Sequence, residues 1–280
     1  MKIDDIAALE HLAANCRRKV LRMIKAGKAG HLGGALSCLD ALVVLYFHTM
    51  NIDPQNPGMP ERDRFILSAG HKCMAQYAVL CERGFFGEET LDTYGSLNTC
   101  LPGHPDMHKL PGVEANTGAL GHGLSIAMGM ALGLRESGQK VFVVLGDGEL
   151  PEGSNWEGAA AASHYGLDNL CALVDCNGLQ IGGKTGDIMN MEPVEKKFAA
   201  FGWAAREIDG NNISGITAAL DTLPLEKGKP TALIMRTTKA KGLSFLEGKA
   251  ESHYWKPGEE ELALAEKELD AEIEKKKVAR

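Results

Sequence analysis

The sequence predicts an α/β protein with a doubly wound, mostly parallel sheet and helices on both faces. The clearest evidence lies between residues 141 and 183, where two short apolar runs, Val141–Leu145 and Leu170–Val174, each end in a polar turn. Between them the alanine-rich segment Ser154–Tyr165 favours helix. A strand, a helix and a second strand at this spacing form a parallel βαβ unit, and ligands of such units collect at the carboxyl ends of the strands.

The rest of the chain repeats this alternation. Further strands are predicted over Arg64–Ser68, Ala204–Ile208 and Thr231–Met235. Helices are predicted over Asp4–Lys25, Ser37–Met50 (buried, with Ser37 as its N-cap), Lys72–Glu82, Thr117–Glu136, Glu192–Phe201, Ile213–Leu220 and, as a charged C-terminal helix, about 258–278. No composition break divides these segments, so residues 1–280 are predicted to form a single domain.

One long segment, Gly95–Asn116, has no periodicity, although its composition is not that of a disordered linker. Loops of this length inside a domain are usually functional or disordered, so we expect a functional one.

The helical pattern that follows keeps four glycines, each costing about 0.5–1 kcal/mol of helix stability. We therefore expect close backbone approach, to a ligand at Gly121 and Gly123 and to another helix at Gly129 and Gly133.

Polar residues follow the two central strands. Asp147 comes directly after the first apolar run, and Asn177 follows the second. An Asp-Gly turn alone is common loop chemistry, so the prediction depends on both strand ends meeting at one edge of the sheet. The Asp147 carboxylate, the Asn177 amide oxygen and the Leu179 carbonyl suit Mg²⁺ bridging a bound diphosphate. The backbone N–H of Gly148 is placed to meet a phosphate oxygen.

Five of the nine histidines lie in or beside glycine-rich turns: His31, His71, His104, His122 and His253. One such histidine is most often a surface or capping residue. Five together indicate a polar pocket in which imidazoles bind hydroxyls and phosphates or transfer protons. A zinc site is the alternative, although the spacings match no common ligand pattern.

Composition and missing motifs exclude several classes of function. A net charge of −7 argues mildly against nucleic-acid binding. No G-x-G-x-x-G follows a predicted strand and no Walker motif is present, which argues against a nicotinamide or ATP site. The seven cysteines form no CxxC pair and are expected to be buried, reduced thiols of a cytoplasmic protein. Neither a signal peptide nor a membrane-spanning run of about 20 apolar residues is predicted.

Six motifs, in order and spacing, make the chain resemble the transketolase family. They are Gly30-His31, Ser68-Ala69-Gly70-His71, Pro102-Gly103-His104-Pro105, Thr117-Gly118-Ala119-Leu120-Gly121, Gly146-Asp147-Gly148 with Glu152, and Asn177. The resemblance extends over nearly the whole chain and concerns the family's first, diphosphate-binding domain. It implies the N-terminal subunit of a split transketolase, completed by a C-terminal chain that binds the aminopyrimidine of the coenzyme, in an α2β2 assembly.

The resemblance also implies thiamine diphosphate and Mg²⁺ as cofactors and assigns roles to individual residues. The metal ligands are Asp147, Asn177 and the Leu179 carbonyl; the cofactor-binding residues are His71, Gly118, Ala119, Leu120, Gly148 and Asn177; the catalytic residues are His31, His104, Glu152 and His253. Glu152 is expected at the subunit interface. His122 stands where the family usually has glutamine, and Glu251–Trp255 differs from the usual Trp-His-Gly, which points to a shifted substrate preference.

The implied reaction transfers a two-carbon ketol unit from a ketose or its phosphate to an aldose or its phosphate. Two alternatives stay open at this point. One is a related thiamine diphosphate enzyme, either a deoxyxylulose phosphate synthase or a 2-oxo-acid decarboxylating subunit, although the pairing of His31 with His104 favours a sugar. The other is a binding homologue without turnover, against which the intact Asp147 and Asn177 argue.

Overall fold

The computed structural model describes residues 2–277, and at its centre is a sheet of five parallel strands. The described residues contain seven strands, of which five form this sheet: β1 (Arg64–Leu67), β2 (Val141–Gly146), β3 (Leu170–Cys176), β4 (Leu179–Gln180), β5 (Gly183–Lys184), β6 (Ala204–Asp209) and β7 (Thr231–Arg236). The order across the sheet is β1-β2-β3-β7-β6, and β4 pairs with β5 in a separate antiparallel hairpin. The predicted βαβ unit is confirmed, because β2 and β3 are parallel neighbours with Gly146 opposite Asp175.

Helices cover both faces of the sheet. They are α1 (Ile6–Gly27), α2 (Leu32–Val44), α3 (Cys73–Arg83), α4 (Gly123–Leu134), α5 (Gly153–His164), α6 (Thr185–Ile188), α7 (Val194–Ala200), α8 (Ile213–Asp221) and α9 (Glu259–Lys275). Strand side chains alternate between the faces. Phe142 and Val144 join a core with α1, α2, α3, α8 and α9, whereas Val141 and Val143 join a second core with α4, α5 and α7. The predicted doubly wound architecture is thus confirmed.

Every residue of α2 is buried, as its apolar sequence predicts. The helix continues through a π-helical turn to Thr49, and Leu32–Thr49 is long and apolar enough to cross a membrane by length and composition. Inside this fold 94% of that segment is buried, which is typical of a core helix. The prediction that α2 starts at Ser37 is wrong, since it starts at Leu32 and Ser37 lies inside it. The Ser37 hydroxyl faces a buried partner instead of capping the helix.

The predicted start of the glycine-rich helix is also wrong. Residues 117–122 form turns, and α4 begins only at Gly123, because Gly118 (φ 148°) and Gly121 (φ 88°) adopt left-handed backbone conformations that a helix does not contain. A Cβ added at Gly121 would lie 2.5 Å from the Cβ of Glu152. One added at Gly123 would lie 2.3 Å from that of Ser68. The close approach at these two glycines is therefore to other residues of this chain, whereas the sequence predicted that it would be to a ligand.

The other two glycines of that helix, Gly129 and Gly133, are exposed, and nothing among the described residues lies within 4 Å of a Cβ built on either. The prediction that they pack against another helix is wrong within this chain. The predicted loop is confirmed, since residues 95–116 contain no helix or strand. The charged C-terminal helix corresponds to α9, and position 278 of its predicted range lies outside the described residues.

Candidate active site

A cavity of about 360 Å³ opens at the carboxyl ends of β1, β2 and β3. Its lining contains ten of the predicted site residues: His31, His71, His104, Gly118, Leu120, Asp147, Gly148, Asn177, Leu179 and His253. The volume is within the range of small-molecule sites. Segments that are more than 200 residues apart in sequence therefore meet at the edge of the sheet that the strand pattern predicts.

Asp147 connects the ends of the two central strands. It is 8% exposed, and its Oδ2 accepts a 2.6 Å hydrogen bond from the backbone N–H of Gly178. Its Oδ1 accepts a 2.8 Å bond from the N–H of Gly148, so this N–H, predicted to meet a phosphate, already has an acceptor. Burial, followed by the charge of Asp175, raises the pKa of Asp147 to about 6. The carboxylate thus lies beside the turn that carries Asn177.

Leu179 and Lys239 also line the cavity. The Lys239 ammonium donates to the Leu179 carbonyl at 3.2 Å and lies 3.3 Å from Nδ1 of His253. Burial, followed by the charge of Lys72, lowers the pKa of Lys239 to about 8. The predicted metal-binding carbonyl therefore has a cation as its partner in this structure.

Beneath the cavity lies a buried ion pair that the sequence did not reveal. The Lys72 ammonium, on a side chain 3% exposed, donates to Asp175 Oδ2 at 2.6 Å, and Asp175 is fully buried. Burial opposes the charge on Lys72, but Asp175 outweighs it and raises the pKa of that lysine. Lys72 also lines the cavity, so its ammonium, paired with Asp175, borders the site.

Four histidines form a cluster on one side of the cavity. The His31 ring centroid lies 5.3 Å from that of His71, 6.0 Å from His104 and 5.4 Å from His253, and the His71 and His253 centroids are 5.3 Å apart. Tyr254, whose ring is 4.9 Å from His31, lies beside them. These positions agree with the prediction that imidazoles from separate turns assemble a polar pocket.

The four imidazoles are neutral near pH 7. Burial lowers the pKa of His104. Burial, followed by repulsion from the protonated form of His104, lowers the pKa of His31. Burial and then Lys72 lower the pKa of His71 to about 2, while burial and then Lys239 lower that of His253 to about 4. Neutral imidazoles can each donate and accept a hydrogen bond, which suits a site that holds hydroxyl groups and transfers protons.

The turn carrying Gly118 is held in place by a buried carboxylate. Glu149, 2% exposed, accepts from the N–H of Gly121 at 2.8 Å, from the N–H of Gly146 at 3.1 Å and from the Ser68 hydroxyl. It thereby joins the ends of β1 and β2 to this turn. A Cβ on Gly118 would lie 2.9 Å from the His104 ring, so only glycine leaves room for that histidine.

Three residues singled out by the sequence lie elsewhere. Ala119 and Glu152 do not belong to the cavity lining, and Glu152 is exposed at the start of α5. His122 is exposed, and its Nδ1 lies 3.2 Å from the carbonyl oxygens of Ala119 and Leu120. An exposed Glu152 agrees with a position at a subunit interface and contributes nothing to the pocket of this chain alone.

Sequence reasoning missed Lys72, Glu149, Gln180 and Lys239, all of which line the cavity. Lys72, Glu149 and Gln180 each directly follow a predicted site residue or motif, so their positions offered a signal, whereas Lys239 offered none. The Gln180 Oε1 is buried and finds no hydrogen-bond donor within residues 2–277. Such an acceptor in a polar cavity is available to a ligand or a water molecule.

Among the described residues no group of three or more His, Cys, Asp and Glu side chains is arranged to hold a metal ion. The zinc alternative therefore has no support in this part of the chain. The predicted magnesium ligands are of a different kind, since they comprise one carboxylate, one amide oxygen and one backbone carbonyl.

Residues 9–279 match the family described as transketolase, thiamine diphosphate binding domain. The chain is 45% identical over 267 residues to an apulose-4-phosphate transketolase subunit of Actinobacillus succinogenes, covering 94% of this chain and 96% of that protein. It is 44% identical over 266 residues to the 6-deoxy-6-sulfo-D-fructose transketolase subunit SqwG of a Clostridium species, covering 94% of this chain and 97% of that protein.

Solved structures show the same fold within a longer chain. The transketolase of Campylobacter jejuni superimposes with a TM-score of 0.87 at 31% identity, covering 99% of this chain and 46% of that one. This chain therefore spans less than half the length of that transketolase and nearly the full length of the relatives named as subunits.

Proposed function

Since the chain belongs to the transketolase family and corresponds to its N-terminal, thiamine diphosphate-binding part, we propose that it is one subunit of a two-chain transketolase. It transfers a two-carbon ketol unit from a ketose phosphate to an aldose phosphate, and a C-terminal, pyrimidine-binding chain completes it in an α2β2 assembly. Residues 1–280 act as one domain that binds the diphosphate and Mg²⁺, and the complex works in the cytoplasm. The observation that carries this proposal is the single cavity shared by Asp147, the Asn177–Leu179 turn and four neutral histidines.

The residues present fit a magnesium diphosphate. Asp147, the Asn177 amide oxygen and the Leu179 carbonyl would supply hard oxygen ligands of the kind that Mg²⁺ prefers, and diphosphate oxygens and water would supply the rest. A cation on the Leu179 carbonyl would replace Lys239 as its partner and leave that ammonium to contact the diphosphate. The Lys72 ammonium, paired with Asp175, lines the same cavity. The positions of Asp147 and of these lysines therefore support both Mg²⁺ and diphosphate as the occupants.

Bound thiamine diphosphate would supply the nucleophilic carbon that accepts and releases the two-carbon unit. This chain's own residues would then hold and move protons. We assign to His31 and His104 the binding of sugar hydroxyls and to His253 a contact near the diphosphate and the donor. His71 and the Gly118–Leu120 turn line the coenzyme cleft. Proton transfer with a sugar hydroxyl falls to His31 and His104, because pKa values of about 2 for His71 and about 4 for His253 make those two rings poor bases near pH 7.

A second chain is supported by two features. Relatives covered almost end to end are named as subunits, and Glu152 and the glycine face of α4 are exposed here. We propose that the partner covers this face and that Glu152 contacts its catalytic glutamate. The substrates of the two named relatives, apulose 4-phosphate and 6-deoxy-6-sulfofructose, both carry an anionic group, which supports a sugar with a phosphate or similar anion as the substrate here.

The test is an assay of ketol transfer with thiamine diphosphate, Mg²⁺ and a ketose phosphate, using the purified chain alone, the partner alone and both together. Transfer is expected only from the mixture. The Asp147→Asn variant should lose at least about tenfold in Mg²⁺ affinity because the only carboxylate ligand loses its charge. The matched control Asp270→Asn, an exposed acid on α9, should behave as the wild type.

Three results would contradict the proposal. Full transfer by the isolated chain would refute the split site. Release of CO₂ from pyruvate, without transfer from any ketose, would indicate the oxo-acid reaction. Calorimetry that detects no Mg²⁺-dependent binding of thiamine diphosphate by the mixture would indicate a homologue without turnover.

A further inference from the structure

Ser37 lies in an unusual place for a small polar residue, in the middle of the fully buried helix α2. Its hydroxyl oxygen is 2.5 Å from Asp175 Oδ2, 3.0 Å from the Gly34 carbonyl and 3.3 Å from Nδ2 of Asn177. A hydroxyl has one hydrogen to donate and two lone pairs. The short distance to a carboxylate is that of a charge-assisted bond, so Ser37 donates to Asp175 and accepts from Asn177.

Asp175 is held rigidly at the other end of this contact. It is fully buried, it receives the Lys72 ammonium at 2.6 Å on Oδ2, and the Thr237 hydroxyl donates to its Oδ1. Hydrogen bonds on both oxygens prevent the carboxylate from rotating. The Ser37 oxygen is therefore fixed in position and presents its free lone pair to Asn177.

The contact with Ser37 decides which way the Asn177 amide points. The two ends of an amide differ, since NH₂ only donates and the oxygen only accepts. With Nδ2 directed to Ser37, the oxygen faces the other way, where it accepts from the Leu179 N–H at 3.1 Å. This end of Asn177 lies in the turn that Asp147 contacts through Gly178.

We propose that Ser37 is a positioning residue for the cation site, which presents the amide oxygen of Asn177 to the metal through the relay Lys72–Asp175–Ser37–Asn177. This inference rests on the proposed function, because Asn177 is a cation ligand only there. Residues that form hydrogen bonds with a metal ligand fix its orientation, and removing one of them typically lowers metal affinity about 10- to 100-fold.

The chain offers a matched pair of variants for a test. Ser37→Ala and Thr237→Val each remove one hydroxyl that donates to Asp175, but only Ser37 also contacts Asn177. Alanine is favoured in a helix and valine has the shape of threonine, so both variants keep the packing. Thermal unfolding without metal serves to compare their stabilities.

The experiment titrates the full chain with Mn²⁺, observed by electron paramagnetic resonance, in the presence of inorganic pyrophosphate. Ser37→Ala is expected to weaken Mn²⁺ binding about tenfold or more, and Thr237→Val less than about threefold. Adding Ser37→Ala to Asn177→Ala should cause no further loss, because the relay ends at Asn177.

The outcomes separate this inference from the proposed function. No Mn²⁺ uptake by the wild type would refute the proposed cation site and the inference with it. Uptake by the wild type with equal loss in the two variants, with no loss in Ser37→Ala, or with additive loss in the double variant would overturn the role of Ser37 and leave the cation site standing.

Discussion

At the scale of single residues, the site depends on charges that burial holds in particular states. Asp147 is a partly desolvated carboxylate, Lys72 keeps its charge through Asp175, and the histidine cluster stays neutral. Four protonated imidazoles whose centroids lie 5–6 Å apart would repel one another. Neutral rings avoid this repulsion, and each can both donate and accept a hydrogen bond.

The neutral state of His71 makes the stability of the metal-free chain depend on pH. The folded-state pKa is about 2, and the unfolded one is near 6.5. Below pH 6.5 the unfolded chain binds a proton that the folded chain does not, so stability is fully present above this pH and falls as the pH decreases. His71→Asn should reduce the loss between pH 7 and pH 5 by about 1 kcal/mol, after discounting for partial exposure, which corresponds to about 2–4 °C in Tm.

Scanning calorimetry of both proteins at several pH values provides the measurement. Between pH 7 and pH 8 the melting temperatures of the two proteins should change with pH by the same amount, and this range serves as the internal control. Equal slopes between pH 7 and pH 5 would show that His71 is not the group responsible.

At the scale of elements, glycines in helices serve two different purposes. Gly33 in α2 allows contact with the segment around Ser252, since a Cβ there would lie 2.5 Å from the Ser252 hydroxyl and 2.8 Å from its carbonyl oxygen. Gly129 in α4 is exposed with no atom of the described residues within 4 Å of an added Cβ. The first glycine serves packing inside this chain, and the second is open to a partner.

Replacing glycine by alanine should have opposite effects on stability at these two positions. Gly33→Ala should destabilise the isolated chain by about 1–3 kcal/mol, because the new methyl group overpacks a buried contact with backbone. Gly129→Ala should stabilise it by about 0.5–1 kcal/mol, since alanine costs less conformational entropy in a helix. Urea denaturation measures both, and a change of the same sign in the two variants would contradict this assignment.

At the scale of the whole molecule, we propose that the chain provides one half of a site. The cavity opens at the edge of a complete parallel sheet, while Glu152 and the exposed face of α4 lie outside it. The architecture thus agrees with a catalytic centre assembled between two chains.

The proposed assembly can be tested through the α4 face. Light scattering of the mixed subunits should give the mass of two copies of this chain and two of the partner. Gly129→Arg should leave the isolated chain folded, as judged by circular dichroism, but weaken assembly at least about tenfold, since a long charged side chain would occupy a closely packed contact. An exposed change on α9, Ala263→Arg, should assemble normally, and assembly of Gly129→Arg with unchanged affinity would exclude this face.

The sequence by itself determined the sheet, its five strands and the edge at which Asp147 and Asn177 meet, because apolar runs and the turns that end them depend on neighbouring residues. The sequence did not predict where α2 and α4 begin, because these starts depend on where Ser37 and Gly121 find distant partners. It also did not predict the hairpin β4–β5.

Only the tertiary structure decided which buried polar groups pair. Lys72 and Asp175 are 103 residues apart, and Ser37 and Asp175 are 138 apart. No local pattern encodes such pairs. They form because a charge or hydroxyl removed from water must find a partner wherever the fold brings one close.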